Sequence, residues 1–355
     1  MTQPLEFGLD TFGDVTHDAD GQPLAHAQVL RNVVREAVLA DQAGVDFIGL
    51  GEHHRPDFAI SSPEMVLAAI AGQTGRIRLG SAVTVLGSDD PVRVFQRFAT
   101  LDAVSGGRAE VILGRGSFTE SFPLFGFPLD DYEALFEERL DLYARILEQD
   151  RRGEPLSWQG RTRPALTHQR IYPTTERGEL RTWVGVGGSP QSVVRAARHG
   201  FPLMLAIIGG DPRRFAPYVT LYHESLAKLG RPALPVGVHS PGYVGTSDAE
   251  ARETYWPGYR ELMGRIGRER GWPPVAREQY EREVESGSLY VGSVETVARK
   301  IAATVQALGL SRFQMKYSSG PLAHELLLGS IERYGREVIP AVRKLLVAAA
   351  PSPAR

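Results

Sequence analysis

The chain has 355 residues, 42% hydrophobic and 23% charged, with a formal net charge of -2 and no cysteine. These figures describe a globular protein with a substantial core, and they give no general electrostatic reason for a nucleic-acid or acidic-membrane partner. The absence of cysteine excludes disulfides, thiolate catalysis and Cys-ligated metal or iron–sulfur sites. No apolar run reaches the roughly 18 residues of a membrane helix, and no secretory signal precedes the first strand-like segment, so a cytoplasmic protein away from membranes is expected.

Strand and helix signals alternate along the chain. A strand at 5–12 is followed by a helix at 28–43, with Val29, Val33, Ala37 and Ala40 on one stripe and Gly44 at its end. A second strand at 46–53 leads to a helix at 63–75, opened by Pro63 behind the cap Ser62. A strand at 77–86 and a helix at 92–104 follow, then a strand at 109–114 and a helix at 132–147. Residues 151–180 break the rhythm with several prolines and a hairpin signal around 158–160. The fifth unit, 181–200, is the most informative. Trp183, Val184 and Val186 make a strand, Gly187 and Gly188 a sharp turn, and Ser189 with Pro190 a helix start that runs to Gly200. A sixth unit covers 203–229, and a seventh strand spans 236–244. A polar helical insertion fills 248–287, followed by a helix at 294–308, a strand at 313–317 and a helix at 323–346, with a frayed tail at 347–355.

Eight such units predict a single α/β domain over 1–355, a (β/α)8 TIM barrel with insertions after helix 4 and after strand 7. An open doubly wound sheet is the structural alternative. It would carry its glycine fingerprint after the first strand, where this chain has Asp10, Thr11, Phe12 and Gly13.

In a barrel the chemistry sits at the C-terminal strand ends. Those ends hold Asp10; Glu52, His53 and His54; 83–86; Arg115; 187–189; 208–210; His239 and Tyr243; and Lys316 and Tyr317. Adjacent strand residues point to opposite faces, so Glu52, His53 and His54 do not chelate one ion together, and no metal is expected. His53 is read as a general acid–base group, for which imidazole is suited near neutrality, and His54 as a structural hydrogen-bonding residue. Arg115, between Gly114 and Gly116, is either a surface ion pair or a donor to a planar acceptor or phosphate. The turn at Gly187, Gly188 and Ser189 feeds a helix N-terminus, where free N–H groups and the helix dipole favour an anion. His239 and Tyr243 either line the same mouth or cap a strand. Phe118, Phe122, Phe125 and Phe127 are read as an apolar lid or as packing beneath a loop.

Three segments, GLGEHHRPDF at 49–58, RLGSAVTVLGSDDPVRVFQRFATLDAVSGGRAEVILGRGS at 78–117 and VGVGGSPQSVVRAARHGFPLMLAIIGG at 184–210, resemble the bacterial luciferase-like flavin-dependent monooxygenases, in an FMN-dependent branch. The resemblance runs from Phe7 to about residue 346. It implies that His53 takes part in the reaction of reduced flavin with oxygen and that Ala82–Val83 forms a non-proline cis peptide against the isoalloxazine ring. It also implies that Arg115 reaches the flavin phosphate region and that Gly188, Ser189 and Ser192 form the phosphate turn. Luciferase carries Glu–Ser and a Thr where this chain has Gly188–Ser189 and Ser192, and a cysteine where it has Gly114, which leaves room beside the flavin and argues against light-producing aldehyde chemistry.

The expected function is therefore an FMN-dependent oxidoreductase, a monooxygenase using reduced FMN and O2 on an organic small molecule. The reduced FMN would come from an NAD(P)H:flavin reductase or by reduction in place. A deazaflavin (F420) hydride-transfer enzyme and a non-catalytic flavin-binding protein are the alternatives. Both insertions are expected to shape the substrate pocket, and the second and third helices to form a homodimer face.

Overall fold

The computed structural model describes residues 4–18, 20–116 and 118–349. Its main strands are β1 (Glu6–Thr11), β2 (Phe47–Leu50), β3 (Arg78–Ser81), β4 (Ala109–Gly114), β5 (Arg181–Val186), β6 (Leu203–Ala206), β7 (Val236–Val244) and β8 (Arg312–Lys316). All pair in parallel, each with its neighbours in sequence, and β8 pairs with β1 to close the circle. This is the expected (β/α)8 barrel, not an open sheet.

The helix limits follow from local chemistry. Pro63, Pro91 and Pro190 each begin a helix, where a missing N–H costs nothing. Gly44, Gly106, Gly200 and Gly309 end helices with φ of 86°, 67°, 71° and 62°, a conformation that other residues adopt only with strain. The last helical stretch runs from His324 to Ala348 through a π-turn at Tyr334–Val338. There a Cβ on Gly335 would meet Ala43 at 2.6 Å, so the glycine lets two helices touch. Residues 350–355 of the expected tail lie outside the described residues. Among the described residues no helix is long and apolar enough to cross a membrane.

The larger core lies between barrel and helices. A smaller one fills the barrel itself with Phe47, Ile112, Trp183 and Met204. Gly8 and Gly80 make room for the Phe47 ring, which an added Cβ would meet at 3.0 and 2.7 Å. The lower end of the barrel is plugged by charge. Arg312, wholly buried, pairs with Glu110 and with Glu6 (2.6 Å), and its guanidinium lies 4.6 Å from both the Phe47 and Trp183 rings. Burial opposes ionisation of Glu110, but Arg312, Arg181 and Arg78 outweigh it and hold its carboxyl at about 2.

The insertions differ in placement. Residues Leu156–Trp158 and Leu166–Gln169 form the expected hairpin, antiparallel. It leans on the helix Tyr132–Arg152 through Trp158 Nε1 to Asp141 (3.0 Å) and the Arg161 and Thr162 amides to Glu138. These bonds run to an outer helix. The second insertion contains helices Asp248–Arg270 and Arg277–Glu285, and the first of these reaches the loop after β2.

Candidate functional site

The loop after β2 carries the histidines. β2 stops at Leu50, three residues earlier than the sequence suggests, because the next amides turn sideways: Glu52 N donates to Val83 O (3.2 Å) and His53 N to Ile60 O (2.9 Å). His54 Nε2 lies 3.0 Å from Glu52 Oε1, while Glu52 Oε2 accepts from Val85 N at 2.9 Å. His54 is thereby a structural tie. His53 is 8% exposed, with its ring 4.5 Å from Phe12, 4.7 Å from Phe58 and 5.3 Å from Phe118. Its Nδ1 lies 3.2 Å from Glu120 Oε1. Burial works against the Glu120 charge, yet hydrogen bonds from the His53 ring and backbone amides keep its carboxyl below the usual carboxylate range. Because Glu120 accepts at Nδ1, the nitrogen of His53 left without a hydrogen-bond partner among the described residues is Nε2.

The Ala82–Val83 peptide bond is cis. Val83 is half-buried and lies over two glycines: a Cβ on Gly114 would sit 2.5 Å from it, and one on Gly185 3.1 Å. The room expected at Gly114 is therefore filled by Val83, because the valine side chain turns toward β4.

At the end of β5, Gly188 has φ 113° and the Ser189 hydroxyl caps the helix Pro190–His199, accepting from Ser192 N at 3.4 Å. Arg195, one turn on, donates to Ser192 Oγ (3.3 Å), Glu133 Oε2 (3.0 Å) and Glu137 Oε2 (2.5 Å). Arg115 donates to the other oxygen of Glu133. Glu133 thus bridges the two guanidiniums and brings Arg115 to the helix start that bears Ser189 and Ser192. Gly187 is exposed at the turn. Ser117 of the GRGS segment lies outside the described residues.

Other strand-end residues separate by direction. Tyr243 points away from the barrel, stacks on Tyr255 at 6.2 Å, and has its hydroxyl pushed up to about 12 by burial, so it does not line the mouth. Tyr317 likewise points outward, to Glu36 (2.7 Å). Lys316 is buried against Asp14 (2.9 Å). His239 points inward, its Nδ1 2.9 Å from Asp10 Oδ2. The four phenylalanines divide as well. Phe118 packs on His53, and Phe125 meets the His54 ring at 5.0 Å while staying 48% exposed, whereas Phe122 is wholly buried as packing, with Phe127 6.5 Å from its ring and under the Arg139 guanidinium. Above Phe118, the Arg55 guanidinium lies 4.5 Å from its ring and pairs with Glu269 from the second insertion, as Asp57 does with Arg265 (3.2 Å).

Sequence reading missed Glu120 and Arg195. Each acts across a gap, Glu120 to His53 over 67 positions and Arg195 to Glu133 over 62, which local spacing does not reveal. The only local signal was Arg195 lying one helical turn after Ser192.

The fold and its rim define a (β/α)8 barrel with polar groups gathered where the strands end. The luciferase-like monooxygenase model matches residues 7–312, and the chain belongs to that family. An uncharacterised protein, y4vJ, of Sinorhizobium fredii is 25% identical over 357 residues, covering 92% of this chain and 95% of its own length. Among solved structures, the monooxygenase RslO1 of Streptomyces bottropensis has a TM-score of 0.80 at 22% identity, over 95% of this chain and 99% of that one. The oxygenating constituent of 3,6-diketocamphane monooxygenase of Pseudomonas putida, in complex with FMN, has a TM-score of 0.76 at 20% identity, over 95% and 98%. The coenzyme F420-dependent tetrahydromethanopterin reductase of Methanopyrus kandleri has one of 0.72 at 19%, over 95% and 99%. At these identities the likeness is one of fold.

Proposed function

We propose that the chain is an FMN-dependent monooxygenase that uses reduced FMN and O2 on an organic small molecule. The observation that carries this reading is the placement of His53, Val83 and the Ser189 helix start on one rim of the barrel, at the ends of β2, β3 and β5. The residues fit the cofactor. The backbone amides of Ser189 and Gln191, the Ser192 hydroxyl, Arg115 and Arg195 suit a dianionic phosphate, and the half-buried Val83 offers an apolar support for a flat ring.

Bound FMN would supply the redox chemistry with oxygen. The chain's part is to orient and to shield. Glu120 fixes the His53 ring so that Nε2 is free to take or give a proton. Phe12, Phe58 and Phe118 keep water from that imidazole. Arg115 and Arg195 hold the phosphate and so fix the ring's position along the rim. Delivery of reduced FMN by an NAD(P)H:flavin reductase fits the absence of a G-x-G-x-x-G fingerprint.

The likeness to the F420-dependent reductase makes hydride transfer from a deazaflavin the second reading. Titrating the purified protein with FMN and with F420, in both oxidation states, separates them. FMN binding, with substrate-dependent O2 uptake once reduced, is expected. Binding of F420 in place of FMN would overturn the first reading, and bound FMN with no turnover for any donor and acceptor would indicate a storage protein.

A further inference from the structure

Below the rim lies a polar cluster that the reading above does not use. Asp10 on β1, Gln314 on β8 and His239 on β7 meet inside the barrel. Asp10 Oδ2 accepts from His239 Nδ1 (2.9 Å) and from Gln314 Nε2 (2.8 Å). Because β8 stands between β1 and β7, the His239–Asp10 bond forms only with both side chains turned inward. The cluster sits two residues nearer the C-terminal strand ends than Arg312, whose register partner is Gly237, whereas Gln314 pairs with His239. It therefore lies above the packed layer of Phe47 and Trp183, on the side of the mouth. It also adjoins the cis peptide: a Cβ on Gly49 would meet Ala82 Cβ at 2.8 Å and Gln314 Nε2 at 3.2 Å.

The cluster has too many acceptors. Among the described residues, Asp10 Oδ1 and Gln314 Oε1 have no hydrogen-bond partner, although both residues are 0% exposed. Buried polar atoms are normally paired, and a shortfall of donors at one place marks where a donor belongs. The carboxylate accepts only, so it holds the proton of His239 on Nδ1 and leaves Nε2 as a further acceptor. The His239 side chain is 12% exposed, and it alone of the three reaches the mouth.

We infer that His239, oriented by Asp10, accepts a hydrogen bond at Nε2 from a ring N–H flanked by carbonyls, the cyclic imide edge of the bound flavin. This rests on the flavin reading above and adds the part of the ring that the floor recognises. Gln314 holds Asp10 in place, and Asp10 fixes the imidazole tautomer, so both are positioning residues.

The test compares FMN with 3-methyl-FMN, which lacks that N–H, by absorbance and fluorescence titration. Wild-type protein should bind FMN at least about tenfold more tightly than the methylated form. His239→Gln and Asp10→Asn should reduce that preference. A measurement that needs no variant is 15N NMR of histidine-labelled wild-type protein, in which the His239 Nε2 resonance should move on adding FMN and less with 3-methyl-FMN. Equal binding of the two flavins, a preference unchanged in His239→Gln, or an unmoved Nε2 resonance would each overturn the inference while leaving FMN binding intact. Failure of the wild-type protein to bind FMN would instead remove the reading beneath it, and the inference with it.

Discussion

His53 and Glu120, 67 positions apart, meet at 3.2 Å between His53 Nδ1 and Glu120 Oε1. The pair joins the loop after β2 to the segment after β4 and sets which imidazole nitrogen is available. If His53 handles a proton in turnover, His53→Ala should slow the reaction by about 10²–10⁴-fold. FMN affinity should stay the same, because the phosphate and ring supports are elsewhere on the rim. Glu120→Gln keeps an acceptor of the same shape and should cost less. An oxygen electrode and a flavin titration read both effects, and an unchanged rate in His53→Ala removes that residue from the mechanism.

Glu133 holds the guanidiniums that the phosphate would need, so charge at this position should oppose binding. Arg115→Ala removes charge-assisted hydrogen bonds worth about 1.5–3 kcal/mol, which corresponds to FMN binding weakened roughly 10- to 100-fold. Glu133→Gln should act the other way. Exposed ion pairs are worth about 0.2–1 kcal/mol, so freeing both arginines should tighten FMN by up to about fivefold. Equal affinity in Arg115→Ala would mean that its pairing with Glu133 is only a surface contact.

How much of this was legible depended on whether the cause was local. The strands at 109–114 and 236–244 and the helix at 294–308 fall where the sequence puts them, because β-branched runs, serine caps and terminal glycines are local signals. β2 ends early because Glu52 and His53 amides bond to Val83 and Ile60, partners that no neighbouring residue announces. The helix at 132–147 continues to Arg152 because a run of charged residues ends only at Gly153. His53, Arg115 and Ser192 were found as residue types in suggestive places. That Glu133 links Arg115 to Arg195, and that Tyr243 and Tyr317 face outward while His239 faces in, depends on barrel closure.

Gly114 and Val83 compete for one space. A Cβ at position 114 would lie 2.5 Å from Val83 Cγ2 and 3.0 Å from its Cβ, so Gly114→Ala must displace the valine. Overpacking of this kind costs about 1–3 kcal/mol. Thermal unfolding of Gly114→Ala should show that loss, and Val83→Ala in the same chain should recover most of it by removing the opposing methyls. If the double variant is no more stable than Gly114→Ala alone, the two side chains do not share the space.

Acid should act on this protein in two successive steps. Burial first, then the charges of Arg198, Arg195 and Arg231 against the opposing pull of Asp141, lower His199 to about 4. In the unfolded chain the same ring takes its proton near pH 6.5. Between those values the unfolded state binds more protons, so stability falls as pH falls from about 6.5 toward 4. Glu110 acts lower. Its carboxyl, held at about 2 and near 4.5 when unfolded, contributes stability that is complete above 4.5 and lost as pH drops toward 2. Urea midpoints measured from pH 7 to pH 3 should therefore decline in both ranges. His199→Gln should flatten only the upper range, since it removes the titrating ring and leaves the Arg312–Glu110 pair intact. A slope between pH 6.5 and 4 that is the same with and without His199 would show that another group takes up the proton.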